Sequence, residues 1–404
     1  MKTVSSESAG FSSVRLQRIN HLMQGYVDRN EFAGMIATVS CKEKSIYYEK
    51  IGWMDKEAQK PMQDDAIFTI ASMTKPITAV AAMMLYEEGY FNLNTPVWNF
   101  IPGFKNLKVC VGVSDDGSLI LTNLKQEITF RHLFTHTAGL SYGFDGKDPV
   151  DIEYRKAMQI TDTHNLLTDL VGFIDIICRL PLAFQPGTKW RYSMSIDVLG
   201  MIIEIISGIP YEKFLEEHIF KPLGMTDTAF YVSPEKMNRV AMIYGHSKPE
   251  KILSPLKNTL LTAKSPVFSA PGHGLFSTVS DYSRFCQMLV NGGELDGVRI
   301  LSPTTVSLFT INHAPAEALS NGLFENDPNH TGYGYSLGTR VLMDISKTGI
   351  HGSIGEFGWD GAFSTYFWID LKEKLYGLLM LQYKRDNDYP IHKQFKQLVY
   401  QAMI

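Results

Sequence analysis

The order of apolar and polar positions predicts a helix and then a pair of strands at the start of the chain. Ser13 can cap a helix whose apolar positions recur at helical spacing: Leu16, Ile19, Leu22, Met23 and Val27. Residues 35–39 and 46–49 are rich in β-forming side chains and flank a charged turn at residues 42–44. We therefore expect one helix and one β-hairpin in this part of the chain.

A short apolar run meets a helical pattern at Ser72. Residues 66–71 read AIFTIA, and their length and β-forming side chains predict a buried strand. Apolar positions then fall at helical spacing over residues 76–89, with Pro76 in the first turn and Gly89 as a C-terminal stop. Ser72 is therefore expected where a strand is followed by a helix, at the positive end of the helix dipole.

The middle of the chain has a mainly helical pattern between residues 150 and 240. Residues 198–206 are apolar nearly all round, which predicts a buried helix. Residues 247–272 hold four prolines and little periodicity, so we expect a long surface connection that forms one rim of a pocket.

The end of the chain returns to strand patterns. Residues 361–370 and 376–383 alternate and run apolar like paired strands, and an amphipathic helix is expected over about residues 390–403. Strands at both ends with helices between them predict an α/β fold. We expect an α/β sheet domain made of residues 1–103 and 265–404, interrupted by a mainly helical domain of residues 104–264, with the active site at the seam.

Composition and charge exclude several classes of partner. The net charge is −4, so neither a nucleic acid nor an acidic membrane surface is expected as a partner. No stretch of 18 uncharged apolar residues predicts a membrane span. The first residues lack the apolar core of a signal peptide, which predicts a cytoplasmic protein or the mature form of an exported one. The 4 cysteines show no C-x-x-C spacing and are expected as free thiols.

Ser72 and Lys75 form a candidate pair of nucleophile and base. Residues three apart on a helix share a face, with Cβ atoms roughly 5–6 Å apart, so the lysine can reach the serine oxygen. To act as a base near neutral pH, the lysine needs a pKa about three units below its usual 10.4, through burial or a nearby cation. The spacing alone is short, and it equally fits a serine N-cap followed by a solvated lysine.

The sequence around this pair favours a nucleophile and its base over a capping serine and a solvated lysine. Residues 71–76, ASMTKP, resemble the active-site helix of serine β-lactamases and penicillin-binding proteins. The chain is most similar to the class C β-lactamase branch and to family VIII carboxylesterases, from about residue 10 to the C-terminus. The resemblance implies an antiparallel sheet flanked by helices with an inserted helical domain, a small-molecule ester as substrate, and neither a cofactor nor a metal.

The resemblance also implies a second proton-handling residue. Tyr192, in the sequence PGTKWRYSM, matches the tyrosine of the family's Tyr-x-Asn pattern after a Pro-Gly. It would pass a proton to the leaving group, and Lys75 would keep its pKa low. Met194 stands where β-lactam-hydrolysing members carry the asparagine, so an amide that binds an acylamido side chain is missing.

A third element occupies the place of the Lys-Thr-Gly strand of β-lactamases. In residues 355–362, GEFGWDGA, Trp359 replaces the lysine, and the Trp-x-Gly pattern is closer to family VIII esterases. The resemblance implies that the N–H groups of Ser72 and Ala362 form the oxyanion hole. It further implies that four residues contact the substrate: Trp359, Asp360, Gly361 and Met194.

Two other patterns are less favoured. Residues 334–338, GYSLG, fit the nucleophile elbow of α/β-hydrolases around Ser336, and Asp344 and His351 follow in the right chain order. A strand pattern follows this motif where a helix is required. His132 and His136 have metal-ligand spacing but lack a third ligand, so structural hydrogen bonding is the better interpretation.

The favoured function is a serine carboxylesterase that acts on short or medium-chain esters through an acyl-enzyme on Ser72, with Lys75 and Tyr192 as coupled base and acid. The alternatives within the same fold are a β-lactamase, a D-Ala-D-Ala peptidase or an acyltransferase. A non-catalytic peptidoglycan-binding domain is the alternative from a different class, and the intact set of three residues argues against it.

Overall fold

We describe the protein from a computed structural model, which covers residues 4–158, 168–247, 252–324, 327, 330–384 and 389–404. A large antiparallel sheet joins strands from the two ends of the chain, in the order β12-β13-β14-β15-β16-β1-β2-β3. These strands are β1 (Gly34–Cys41), β2 (Lys44–Asp55), β3 (Lys60–Pro61), β12 (Tyr333–Tyr335), β13 (Arg340–Leu342), β14 (Phe357–Asp360), β15 (Tyr366–Asp370) and β16 (Leu375–Leu381).

Helices flank the sheet and fill the middle of the chain. They are α1 (Ser13–Asp28), α2 (Thr74–Glu87), α3 (Phe130–Phe134), α4 (Pro149–Met158), α5 (Leu170–Ile177), α6 (Ser195–Ser207), α7 (Tyr211–Leu215), α8 (Lys221–Leu223), α9 (Val279–Val290), α10 (Pro303–Leu308), α11 (Ile345–Thr348) and α12 (Ile391–Tyr400). Short strands form separate pairs: β4 (Phe68–Thr69) with β9 (Phe276–Ser277), β5 (Lys108–Val113) with β6 (Leu119–Asn123), β7 (Ile243–His246) with β8 (Leu253–Leu256), and β10 (Glu294–Leu295) with β11 (Val298–Arg299).

Both faces of the sheet are covered, which explains why its central strands β1, β15 and β16 are buried at every position. Side chains alternate across a strand, so Met35 and Ala37 of β1 pack in one core with α1 and α12. Ile36, between them, packs in the other core with α2 and α9. The sheet is thus a layer between two cores, as expected for an α/β protein with buried strands.

Most elements predicted from the apolar pattern are present, with three differences. Within residues 66–71 only Phe68–Thr69 is a strand, and it pairs with β9 outside the large sheet. The predicted surface connection at residues 247–272 contains β8 and ends in a buried segment, while residues 248–251 lie outside the described part of the chain. The helix at 198–206 is amphipathic, since Ile205 is 41% exposed.

The predicted hairpin and first helix are confirmed with small shifts at their ends. The helix begins one residue earlier than a Ser13 cap requires, because Ser12 is the cap and its side chain accepts from the N–H of Arg15. The division into a sheet domain and a helical domain stays a prediction. No helix among the described residues is long and apolar enough to cross a membrane.

Candidate active site

Ser72 lies in a 3₁₀ turn, Ala71–Met73, directly before α2. Ala71 has a φ of 44°, a left-handed conformation that is uncommon without glycine and is found mainly at functional sites. The turn is held from outside, since Tyr282 donates to the carbonyl of Met73 across 3.0 Å. The main chain therefore presents the partly exposed Ser72 at the N-terminal end of a helix that is buried from Thr74 to Met83.

Lys75 is completely buried one helical turn after Ser72. Its Nζ lies 3.4 Å from Oγ of Ser72 and donates to the carbonyl of Gly272 across 2.7 Å. Burial lowers the pKa of Lys75 from its ordinary value of 10.5 to about 7, while the charges of Asp197 and Asp360 oppose that change. A lysine with this pKa is partly neutral at pH 7 and can accept the serine proton.

The Tyr192 side chain packs against Lys75, whose Nζ is 4.5 Å from the centre of the tyrosine ring. Trp359 Nε1 donates to the Tyr192 hydroxyl oxygen across 3.3 Å. Burial raises the pKa of Tyr192 above its ordinary value of 10, and hydrogen bonds with Ser72 and Trp359 oppose this. The expectation that Lys75 keeps this pKa low is therefore wrong, because burial dominates.

His136 holds the chain on both sides of Tyr192. Its backbone carbonyl accepts from the N–H of Arg191 across 3.0 Å, and its Nδ1 accepts from the N–H of Ser193 across 3.2 Å. Burial, together with the charge of Lys75, lowers the pKa of His136 well below 6.5, so the ring is neutral. His136 also has a left-handed φ of 56°. Its spacing from His132 predicts only a structural histidine.

A cavity of about 550 Å³ opens next to Ser72. Its lining is mostly aromatic and contains two carboxylates: Ser72, Phe144, Tyr192, Phe324, Asp327, His330, Trp359, Asp360, Gly361 and Ala362. Three of the four predicted substrate contacts are among these residues, together with Ala362. Met194 is not: it is buried at the start of α6, where its carbonyl accepts from the helix. Phe144 and Phe324 belong to loops that carried no recognisable signal.

Arg340 of β13 pairs across 2.9 Å with Asp360, one of the lining residues. Its guanidinium also lies 5.8 Å from the centre of the Trp359 ring. A smaller cavity of about 100 Å³ behind Asp360 contains Arg340 but not Ser72. Arg191 is bound to Asp148 and Asp151, so it is not a substitute for the lysine that Trp359 replaces.

The less favoured patterns do not lead to alternative sites. Ser336 is fully buried, its hydroxyl donates to the carbonyl of Leu308, and β13 follows it instead of a helix. His132 Nδ1 accepts from the N–H of Thr129, which is a helix-capping contact. Within the described ranges no group of three or more histidines, cysteines or acidic residues is placed to hold a metal ion.

Comparisons with known proteins show what the chain as a whole is similar to. The family model described as Beta-lactamase matches residues 19–401. An uncharacterized protein of Mycobacterium tuberculosis is 34% identical over 368 residues, which cover 89% of this chain and 88% of that protein. Esterase EstB of Burkholderia gladioli is 29% identical over 371 residues, which cover 87% of this chain and 86% of that protein.

Among solved structures, EstCE1, described as a hydrolase with promiscuous acyltransferase activity, has a TM-score of 0.79. It is 23% identical, and the match covers 98% of this chain and 99% of that one. At this level of identity the likeness establishes the fold, which is that of β-lactamases with a large antiparallel sheet and flanking helices.

Proposed function

Because the chain belongs to the β-lactamase family, we propose that it is a serine carboxylesterase that cleaves short or medium-chain esters through an acyl-enzyme on Ser72. The family and its esterase relatives make the chain a serine hydrolase or acyl-transferring enzyme. The choice of esters as substrates rests on the residues that line the cavity. The alternative, transfer of the acyl group to an alcohol, would use the same acyl-enzyme.

One observation carries the proposal: a buried lysine with a pKa of about 7 has its Nζ 3.4 Å from the hydroxyl of Ser72. In the first step, neutral Lys75 takes the proton of Ser72, and the serine oxygen attacks the ester carbonyl. The carbonyl oxygen becomes negative and is stabilised by the N–H groups of Ser72 and Ala362.

Collapse of this intermediate expels the alcohol. The raised pKa of Tyr192 keeps its hydroxyl protonated at pH 7, so we assign it as the acid that gives a proton to the departing oxygen. Lys75 then returns the serine proton to Tyr192, which restores both groups. Water attacks the acyl-enzyme with the same groups acting in reverse, and the carboxylic acid and free Ser72 are released.

The cavity suits neutral esters better than β-lactams. The lining residues described include two carboxylates, Asp327 and Asp360, and neither a lysine nor an arginine. The carboxylate of a β-lactam would therefore meet aromatic and acidic groups instead of a cation. Apolar acyl groups gain from burial against Trp359 and Phe324, at roughly 25 cal/mol per Å².

The test combines turnover with labelling. Purified protein should hydrolyse p-nitrophenyl butyrate, and a fluorophosphonate should add once, on the peptide that contains Ser72. The Ser72→Ala variant should lose both properties, whereas Ser336→Ala, if it folds, should keep them. An adduct on Ser336, or full ester hydrolysis by Ser72→Ala, would refute the proposal.

A further inference from the structure

A single residue connects the proposed base to a buried carboxylate. The N–H of Gly272 donates to Oδ1 of Asp197 across 2.8 Å, and its carbonyl accepts from Nζ of Lys75 across 2.7 Å. A methyl group at position 272 would lie 2.6 Å from Oδ2 of Asp197 and 2.7 Å from the hydroxyl of Tyr142. Only glycine allows these groups to approach one another so closely.

The neighbouring residues fix the position of this segment. The carbonyl of Pro271 accepts from the hydroxyl of Thr78 on α2 across 2.6 Å. On the other side, Gly200 of α6 lets the ring of Pro271 lie against the helix, where a Cβ would be 2.2 Å from its Cγ. The Gly272 carbonyl is thus held between α2, which carries Lys75, and α6, which carries Asp197.

Asp197 is 1% exposed and lies in the first turn of α6. Its Oδ2 accepts from the Tyr142 hydroxyl across 3.2 Å. Burial raises the pKa of Asp197, while the charge of Lys75 and the hydrogen bonds from Gly272 and Tyr142 oppose this. A buried carboxylate is costly unless it is paired and hydrogen-bonded, and Lys75 is the cation that acts on this one.

The other titratable groups facing Lys75 come from three further segments: Asp360 of β14, Tyr192 before α6, and His136 and Tyr142 after α3. Burial keeps the two tyrosine hydroxyls protonated and His136 neutral at pH 7. Two charges therefore act on Lys75, and that of Asp360 is already paired with Arg340.

We propose that Asp197 is a positioning residue that fixes the Gly272 carbonyl against Lys75 and, by its charge, sets the proton affinity of that base. The proposal rests on the proposed function, in which Lys75 accepts the proton of Ser72. A general base works best when its pKa is close to the working pH. Burial lowers the pKa of Lys75, and the charge of Asp197 opposes the change, so the lysine stays basic enough to accept a proton.

The pH dependence of kcat/KM for p-nitrophenyl butyrate tests this role. In Asp197→Asn the amide oxygen can still accept from Gly272, but the charge is gone. The acid limb should therefore move about one pH unit lower, at the small end of the effect of a close charge. The rate at the plateau should fall, since the base is weaker. Asp197→Ala also loses the contact to Gly272, so its plateau rate should be lower still.

Asp281 offers a matched control. It is a buried aspartate that accepts from the N–H of Asp227 and the hydroxyl of Thr228, and burial raises its pKa. It is not among the charges that act on Lys75. Asp281→Asn should lower the melting temperature and leave the acid limb in place, whereas an equal shift in this variant would refute a specific role for Asp197.

Tyr142→Phe provides a second test that does not alter the carboxylate. Loss of the donor to Oδ2 makes the charged form of Asp197 less favourable, so the acid limb should again move lower, by less than in Asp197→Asn. If the pH profiles of Asp197→Asn and Tyr142→Phe both coincide with that of the wild type, the inference is overturned. The proposed function would still stand if Lys75→Ala and Ser72→Ala remained inactive, so the two failures can be distinguished.

Discussion

The indole N–H of Trp359 donates to the hydroxyl oxygen of Tyr192 across 3.3 Å. The residue that replaces the lysine of β-lactamases therefore contacts the proposed acid directly, in addition to lining the cavity. An N–H donor to the phenolic oxygen favours its negative form, which must arise briefly when Tyr192 gives up its proton.

Trp359→Phe should lower kcat for p-nitrophenyl butyrate about 3–10-fold, because a neutral hydrogen bond contributes about 1 kcal/mol. The aromatic wall remains, so KM should change little. Trp190→Phe is a matched control, since Trp190 also packs against Tyr192 but its Nε1 has no hydrogen-bond partner in the described structure. A larger loss of kcat in the control than in Trp359→Phe would contradict the assigned contact.

The rate should rise with pH through an apparent pKa near 7, since Lys75 must lose its proton before it can act as base. Tyr192 must keep its proton, and its raised pKa places the opposing limb above pH 10. Lys75→Ala and Tyr192→Phe should each lose at least about a hundredfold in kcat/KM. We would abandon either role if the corresponding variant retained wild-type activity between pH 6 and 9.

Simple esters should be turned over far better than β-lactams. Trp359 provides no cation for the lactam carboxylate, and Arg340, whose guanidinium lies 5.8 Å from the centre of the Trp359 ring, is paired with Asp360. A hydrogen bond to a charged group contributes about 1.5–3 kcal/mol, so its loss costs lactams about ten- to a hundredfold in affinity. The measurement is kcat/KM for p-nitrophenyl butyrate and nitrocefin on one preparation. Equal values would favour the β-lactamase alternative.

The features that could be predicted best from the sequence are those formed by residues close together along the chain. Ser72 and Lys75 are three residues apart, so helical spacing alone brings them together. The β1–β2 hairpin is equally local. Tyr192 and Trp359 lie 120 or more positions from Ser72 and could be identified only through their resemblance to family motifs.

The contacts that position Lys75 and shift the pKa values in the site could not be predicted from the sequence, because they depend on tertiary packing. Nothing around Gly272 indicates that its carbonyl meets Lys75, 197 positions away. The burial that lowers the pKa of Lys75 and raises that of Tyr192 is likewise a property of the folded core. For Met194, the position in the motif suggested a substrate contact, and the structure places the residue in the core, outside the residues that line the cavity.

A buried ion pair far from the cavity should be important for stability. Lys396 of α12 and Glu356, just before β14, are 0% and 2% exposed and form a salt bridge, and Tyr400 also donates to Glu356. Lys396→Met leaves the carboxylate unpaired and should cost about 3–5 kcal/mol of unfolding free energy. Lys213→Met removes an exposed pair with Glu216 and should cost far less, because solvent screens that pair. Equal effects in urea titrations would contradict this difference.

Lys75 should lower the stability of the fold in a pH-dependent way. Between pH 7 and 10.5 the unfolded chain holds a proton on this lysine and the folded chain does not. Stability therefore increases with pH across this window, by at most about 1.4 kcal/mol per pH unit, and the penalty is fully present below pH 7. Removing the Lys75 amine should remove this dependence of stability on pH, although Asp197 and Gly272 then lose their partner.

We therefore predict that Lys75→Met is inactive and that its unfolding free energy, relative to the wild type, declines as the pH rises from 7 to 9. The difference between the two proteins isolates Lys75, because all other titrating groups are shared. Urea titrations at each pH provide the measurement, with Lys213→Met as the exposed control. Parallel stability curves for wild type and Lys75→Met would mean that this lysine stays protonated when buried, which is incompatible with its role as the base.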